Sequence, residues 1–150
     1  GLDLIESTTN EDTIECVAEI GPHFFIEVAR LRALRILWKN VLNGLGINGP
    51  GLFLEVRMAT KFLAEEKHTN MIAAGTKAVA AICGGADRLV INPSPENDEP
   101  LTRRIARNVH HVLKYESNIN SMPDPVKGSF YMEALVEQLV RKACTKLIEE

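Results

Sequence analysis

Glu55 and Arg57 stand two residues apart in the stretch GLFLEVRMATKF, where Leu52, Leu54, Val56 and Met58 alternate with Phe53, Glu55, Arg57 and Ala59. A strand has a side-chain period of two, so the acid and the guanidinium share one face and the aliphatic residues share the other. Such a pair has two uses: it can fill an interior as a hydrogen-bonded ion pair, or the guanidinium can hold an anion or polarise a carbonyl. Asn92 closes the run Arg88 to Asn92 and is a second candidate ligand contact, as a polar residue at a strand end. His68 is expected at the surface. His110 and His111 lack a carboxylate or thiol at metal-ligand spacing, which argues against a metal site. Gly84-Gly85 has neither P-loop nor dinucleotide-binding spacing and is no phosphate cradle.

The elements that must position these residues follow from periodicity. Residues Gly51 to Pro93 read as strand, Ala-rich helix and strand, a βαβ unit whose strands lie parallel. Its helix carries only Lys77 as a charge between Met71 and Cys83, which predicts burial on more than one side. Gly84-Gly85 is expected to supply the φ > 0 positions that end that helix. Upstream, Ile14 to Glu19 reads as a short strand before Gly21-Pro22, and Thr9 or Asn10 could cap a helix near the start. Phe24, Val28, Leu31, Leu34, Trp38 and Val41 recur at helical spacing. Downstream, Asp98 can cap a helix over about Glu99 to Glu116, with Leu101, Ile105, Val109 and Val112 as its apolar stripe. Arg103, Arg107, His110 and Lys114 line its other side, either a solvated basic face or a surface for an anion or acidic partner. A short strand near Asn118 could follow, and a last helix runs from about Ser129 to Ile148.

Three or four strands, each followed by a helix, fit an open parallel sheet or part of a β/α barrel. The barrel is favoured because Glu55 and Arg57 would be costly against a covering helix but tolerable as a pair in a barrel interior. Composition agrees with a globular chain: 150 residues, 45% hydrophobic, 25% charged, net charge -3. That charge gives no basic field for nucleic acid or an anionic membrane, and no apolar run is long enough to span a bilayer. Cys16, Cys83 and Cys144 are odd in number and far apart, which fits reduced thiols packed as small side chains in a cytosolic-type compartment. An opening without Met and a close on KLIEE predict a piece excised from a longer protein.

Several stretches resemble the methylmalonyl-CoA mutase family. Residues 24–33, FFIEVARLRA, are similar to a family helix FFMEIAKLRA; Gly84-Gly85 precedes the strand ending in Asn92; Arg104-Ile105-Ala106-Arg107-Asn108 matches RIARN; and Asp124-Pro125 through Leu135 is similar to DPWGGSYYVEAL. The resemblance covers residue 14 to the end. It implies an α/β fold, the C-terminal half of a (β/α)8 TIM barrel: residues 1–150 form one segment, with βα units over about 13–127 and a C-terminal helix over 128–150. In the family, a complete barrel threads an acyl-CoA along its axis and closes over adenosylcobalamin, whose radical drives the interchange of methylmalonyl-CoA and succinyl-CoA.

The same resemblance exposes departures. Catalytic chains carry a strand similar to RTHCQTSG, whose His donates a hydrogen bond to the migrating carbonyl. Anchored on Thr60, that register puts Arg57 in place of the His and Glu55 in place of the Arg. The loop after Lys61 is short and lacks the family's Gly-Trp-Ser, and His110 replaces a Gln. These changes resemble the noncatalytic small subunit of the bacterial heterodimeric mutases; an active acyl-CoA mutase with a diverged site is the alternative. The implied site is thus a noncatalytic one, with Arg57 and Asn92 as candidate substrate contacts. The parent complex would hold adenosylcobalamin and an acyl-CoA, this segment would hold no cofactor, and its partner would be the catalytic large subunit in the bacterial cytoplasm. A half-barrel with bare strand edges would also self-associate.

Overall fold

The computed structural model describes residues 14–49, 51–59, 64, 66–92 and 100–149. Thr9, Asn10, Thr60, Lys61 and Asp98, on which a cap, a register anchor or a loop length was read, lie outside them. Strand β1 (Ile14–Ile20) leads into α1 (Phe24–Gly44), β2 (Leu52–Met58), α2 (Lys67–Cys83), β3 (Arg88–Val90) and α3 (Pro100–His111). A π-helical turn (Val112–Glu116), a 3-10 turn (Ile119–Ser121) and α4 (Phe130–Glu149) complete the chain. The fold is α/β: β1, β2 and β3 form a parallel sheet in that order, with β2 central.

Two crossovers that step the same way across a parallel sheet, each right-handed, place α1 and α2 on the same face. The packing agrees. Ala18, Ile20, Leu54 and Val56 meet Val28 and Leu31 of α1, Ala80 and Ala81 of α2, and Met132 and Val136 of α4 in one core. Helices on one face of a parallel sheet make a section of barrel wall, because a doubly wound sheet would be covered on both. The side chains of the opposite parity, Glu15, Phe53, Glu55, Arg57 and Arg88, therefore lie on the face that these helices leave uncovered.

Two arginines of α1 fasten the other ends of the strands. Arg35 donates to the carbonyls of Leu52 (2.8 Å) and Gly85 and to Asp87 (2.6 Å), whose carboxylate accepts the Leu54 N–H at 2.7 Å. Arg32 forms a two-pronged pair with Asp124, both bonds 2.8 Å, and so ties the Pro123-Asp124-Pro125 connection to the helix layer. The pair holds the Asp124 carboxyl below its ordinary range and raises the Arg32 guanidinium. Ser129 then caps α4 by accepting the Met132 N–H, while Glu133 reaches back to the Gly128 N–H at 3.0 Å.

Several expectations need correction. Gly85 is left-handed (φ 82°) as predicted, but Gly84 is a right-handed helix cap (φ -75°). Its requirement is space: a Cβ there would lie 2.9 Å from Leu31 Cβ and 2.7 Å from Leu31 Cδ1. No strand forms near Asn118 among the described residues; Asn118 is left-handed (φ 50°) and opens the 3-10 turn. The helix expected over 99–116 changes to π-helical winding at Val112, and its buried side is Thr102, Ala106 and Leu113 rather than Leu101 and Val112, both of which are exposed. The helix followed its neighbour α2, not its most hydrophobic residues. Helix α2 is enclosed as predicted only in its second half, where Lys77 is buried and its ammonium pushed down by desolvation, while Ile72 is 74% exposed.

Gly84→Ala should destabilise the intact protein by about 1–3 kcal/mol in a denaturant titration, since Leu31 must leave its rotamer or the helices must part. A loss under 0.5 kcal/mol would mean the layers part easily there. Asp124→Asn should cost about 1–3 kcal/mol at neutral pH. Because Asp124 is depressed in the folded state, its stabilisation is complete above the unfolded value near 3.9 and is lost as pH falls through the lower folded value. The variant should therefore show a shallower acid limb than the parent.

Candidate functional site

The parallel register decides which charges meet on the uncovered face. Arg57 pairs in register with Glu19 of β1 and Val90 of β3; Glu55 pairs with Val17 and Arg88. Each charge on β2 thus faces an opposite charge, in register, on one neighbouring strand: Arg57 faces Glu19 on β1 and Glu55 faces Arg88 on β3.

Glu55 is the centre. It is 3% exposed, and both its oxygens are used: Oε1 accepts from Arg57 Nε at 2.5 Å and Oε2 from Arg88 Nη1 at 2.8 Å. The same Arg88 nitrogen reaches Glu15 Oε1 at 2.9 Å. To do so the Arg88 side chain crosses the central strand, with its guanidinium carbon 4.9 Å from the centre of the Phe53 ring. The hydrogen bond from Arg88, then that from Arg57, holds Glu55 below the ordinary carboxylate range against the opposing effect of burial. Arg88 is raised, chiefly by Glu55. A buried carboxylate with one guanidinium on each oxygen stays ionised and has no lone pair well placed for proton transfer.

Arg57 itself is half-exposed, and its two terminal amines carry no hydrogen bond among the described residues. Arg57 is the sixth of the seven residues of β2, near the C-terminal end of the strand, and its Nε edge is committed to Glu55. Asn92 lies two residues past β3, exposed, and makes no hydrogen bond to the cluster.

Other candidates fall away from this face. His68 is exposed in the first turn of α2. His111 stacks on Tyr115 with ring centres 5.9 Å apart, and His110 is pushed down by burial and by His111. No group of three His, Cys, Asp or Glu among the described residues is arranged to hold a metal ion. The three cysteines are unpaired thiols. No helix among the described residues is long and apolar enough to cross a membrane.

Sequence reasoning found Glu55 and Arg57 but missed Arg88 and Glu15. The only signal for Arg88 was its place on the same parity as Val90 and Asn92; its use depends on register, which spacing along one chain does not give.

The methylmalonyl-CoA mutase family model matches residues 12–150. A methylmalonyl-CoA mutase of Cereibacter sphaeroides is 34% identical over 138 residues, covering 87% of this chain and 19% of the relative. The methylmalonyl-CoA mutase large subunit of Propionibacterium freudenreichii subsp. shermanii is 34% identical over 83% of this chain and 18% of its own length. The small subunit of Porphyromonas gingivalis is 27% identical over 83% of the chain and 21% of its own length. The chain thus spans about a fifth of the length of the curated relatives it matches. With a parallel barrel-wall fold and a match over nearly its whole length, the chain belongs to the methylmalonyl-CoA mutase family.

Proposed function

We propose that this chain is barrel wall from the noncatalytic, supporting subunit of a bacterial methylmalonyl-CoA mutase, the second half of the barrel over residues 1–150. One observation carries it. Arg57, at the position that the resemblance gives to the carbonyl-polarising His, is hydrogen-bonded to a buried acid that is itself shared with Arg88. A guanidinium so paired has lost much of the field that would stabilise a developing charge, and replacing a donor in such a site ordinarily costs about two to three orders of magnitude in rate.

In the parent complex, adenosylcobalamin would supply the radical that starts the rearrangement. Among the described residues, the uncovered face offers carboxylates and guanidiniums but no imidazole or thiol, since Cys16 belongs to the opposite parity. The described residues of this face do not fit a cobalt centre. The acyl-CoA and the cofactor would belong to a catalytic large-subunit partner, in a cytoplasmic heterodimer. What this chain contributes is the wall: a neutralised inner lining and a helix layer that holds it.

A second reading has an observation of its own. Identity is higher to the large subunit, 34%, than to the small subunit, 27%, which favours an acyl-CoA mutase with an altered site. Under that reading Arg57 takes the acyl carbonyl on its terminal amines, with Asn92 as a further contact.

The intact protein assayed alone with adenosylcobalamin and methylmalonyl-CoA should show no turnover, and activity should appear only with the catalytic chain. Turnover by the isolated protein, lost about a hundredfold on Arg57→Ala, would overturn the supporting role. Residues 1–150 produced alone should also self-associate in sedimentation at micromolar concentration, because the inner face exposes Val17 beside bare strand edges. A monomer would count against this segment's needing another to cover it.

A further inference from the structure

One enclosed ammonium has no bonding partner. Lys77, in the second half of α2, is 7% exposed, and the residues one turn away on either side are Ala73, Ala74, Ala80 and Ala81. Among the described residues it makes no hydrogen bond or ion pair. The opposite charge that acts on it is Glu27 of α1, and that carboxylate is already held by Arg30, through Nε at 3.0 Å and Nη2 at 2.5 Å. Burying a charge without an answering partner costs stability. Glu55 is answered on both oxygens and so belongs to the wall, whereas an enclosed, unanswered amine is the form in which proteins use lysine as a nucleophile.

The tip of the side chain is reachable. Among the described residues no fully buried side-chain nitrogen or oxygen lacks a partner, so the unpartnered Nζ itself meets solvent while its stem is enclosed. A helical side chain leans over the turn N-terminal to it, which for Lys77 holds Ala73 and Ala74, both small and half-buried. Desolvation pushes the ammonium down, so a larger share of it is neutral than of a surface lysine, which titrates near about 10.4. The chemistry of the electrophile follows. Forming an imine with an aldehyde or ketone needs an acid to expel water, and Glu27 is bound to Arg30; an acyl thioester carries its own leaving group and needs only the amine. The amide formed is neutral, which removes the cost of enclosing a cation.

We propose that Lys77 is an acyl-acceptor site that takes a short acyl group from a thioester; that the donor is an acyl-CoA rests on the reading of this chain as part of an acyl-CoA mutase. The neutral Nζ adds to the thioester carbonyl carbon, a C–N bond forms and the C–S bond breaks. The departing thiolate takes the proton that the nitrogen releases, and nothing is oxidised or reduced. The test incubates the intact protein with acetyl-CoA, without adenosylcobalamin, and follows early acylation of each lysine by peptide mass spectrometry. Lys77 should react roughly tenfold faster than the exposed Lys39, Lys114, Lys127 and Lys142, and the preference should vanish in urea, where burial is gone. Lys77→Met removes the enclosed charge and should fold at least as well as the parent; it should lose the fast site and leave the other lysines unchanged. Acylation of the exposed lysines with Lys77 spared overturns the site and makes Lys77 a structural cation, and a preference that survives in urea overturns it too. p-Nitrophenyl acetate, run in parallel, separates the amine from its donor: Lys77 labelled by this ester and not by acetyl-CoA overturns the acyl-CoA assignment. None of these outcomes alters the turnover assay, so the supporting role stands or falls separately.

Discussion

A carboxylate cannot be buried on a sheet face without partners, and Glu55 is buried there; the inner side of this structure is arranged around that constraint. One guanidinium comes from its own strand, two residues on, and the other from β3. Bringing Arg88 to Glu55 requires β3 to pair with β2 in one register only, since a slip of one residue would turn Arg88 to the helix side and leave an unpaired acid inside. Arg88 then continues over Phe53 to Glu15, which recruits β1 to the same condition. Three strands are therefore indexed twice, by aliphatic packing on one face and by charge pairing on the other.

The helix layer meets the sheet under a complementary constraint. Leu31 sits against Gly84 so closely that a methyl group would not fit, and this brings α1 and the end of α2 together. At that same level Arg35 binds the carbonyls of Leu52 and Gly85 and the Asp87 carboxylate at the N-terminal ends of β2 and β3, while Arg32 holds Asp124 of the connection before α4. These ion pairs lie between the helix layer and the strand starts, and so are separate from the cluster that Glu15, Glu55, Arg57 and Arg88 make on the inner face.

Much of this was legible in the chain. Alternation in β2 placed Glu55 and Arg57 on one face, the 3.6 period found α1, and a lone Lys77 marked the enclosed half of α2. What sequence did not carry were relations between segments. Arg88 and Glu15 acquire a role only through register; Gly84 looked like a φ > 0 residue because glycine commonly is, whereas here its missing side chain is what matters. The face of α3 was misjudged because hydrophobicity picked Leu101 and Val112, while packing against α2 buried the small residues Thr102 and Ala106. The possible short strand near Asn118 does not form among the described residues, and the short polar side chain of Asn118 tolerates the left-handed turn it takes.

Overall identity and site chemistry weigh different things in deciding what such a chain does. The stretches that carry the family resemblance include features that build walls: the helix α1, the close approach at Gly84, the cap at Ser129. Those are needed whether or not a barrel turns over substrate, so a few per cent between relatives says little about catalysis. A single inward position says more. A neutral imidazole is a donor that can be aimed at a carbonyl with nothing else bound to it, and its strength is kept for the moment charge develops. A guanidinium locked to a buried carboxylate is already answered, and the acid it answers cannot be released without stranding a charge in the wall. On the supporting-subunit reading, Glu55, Arg57 and Arg88 act as one unit of the wall, since altering any one of them would strand the charge of another.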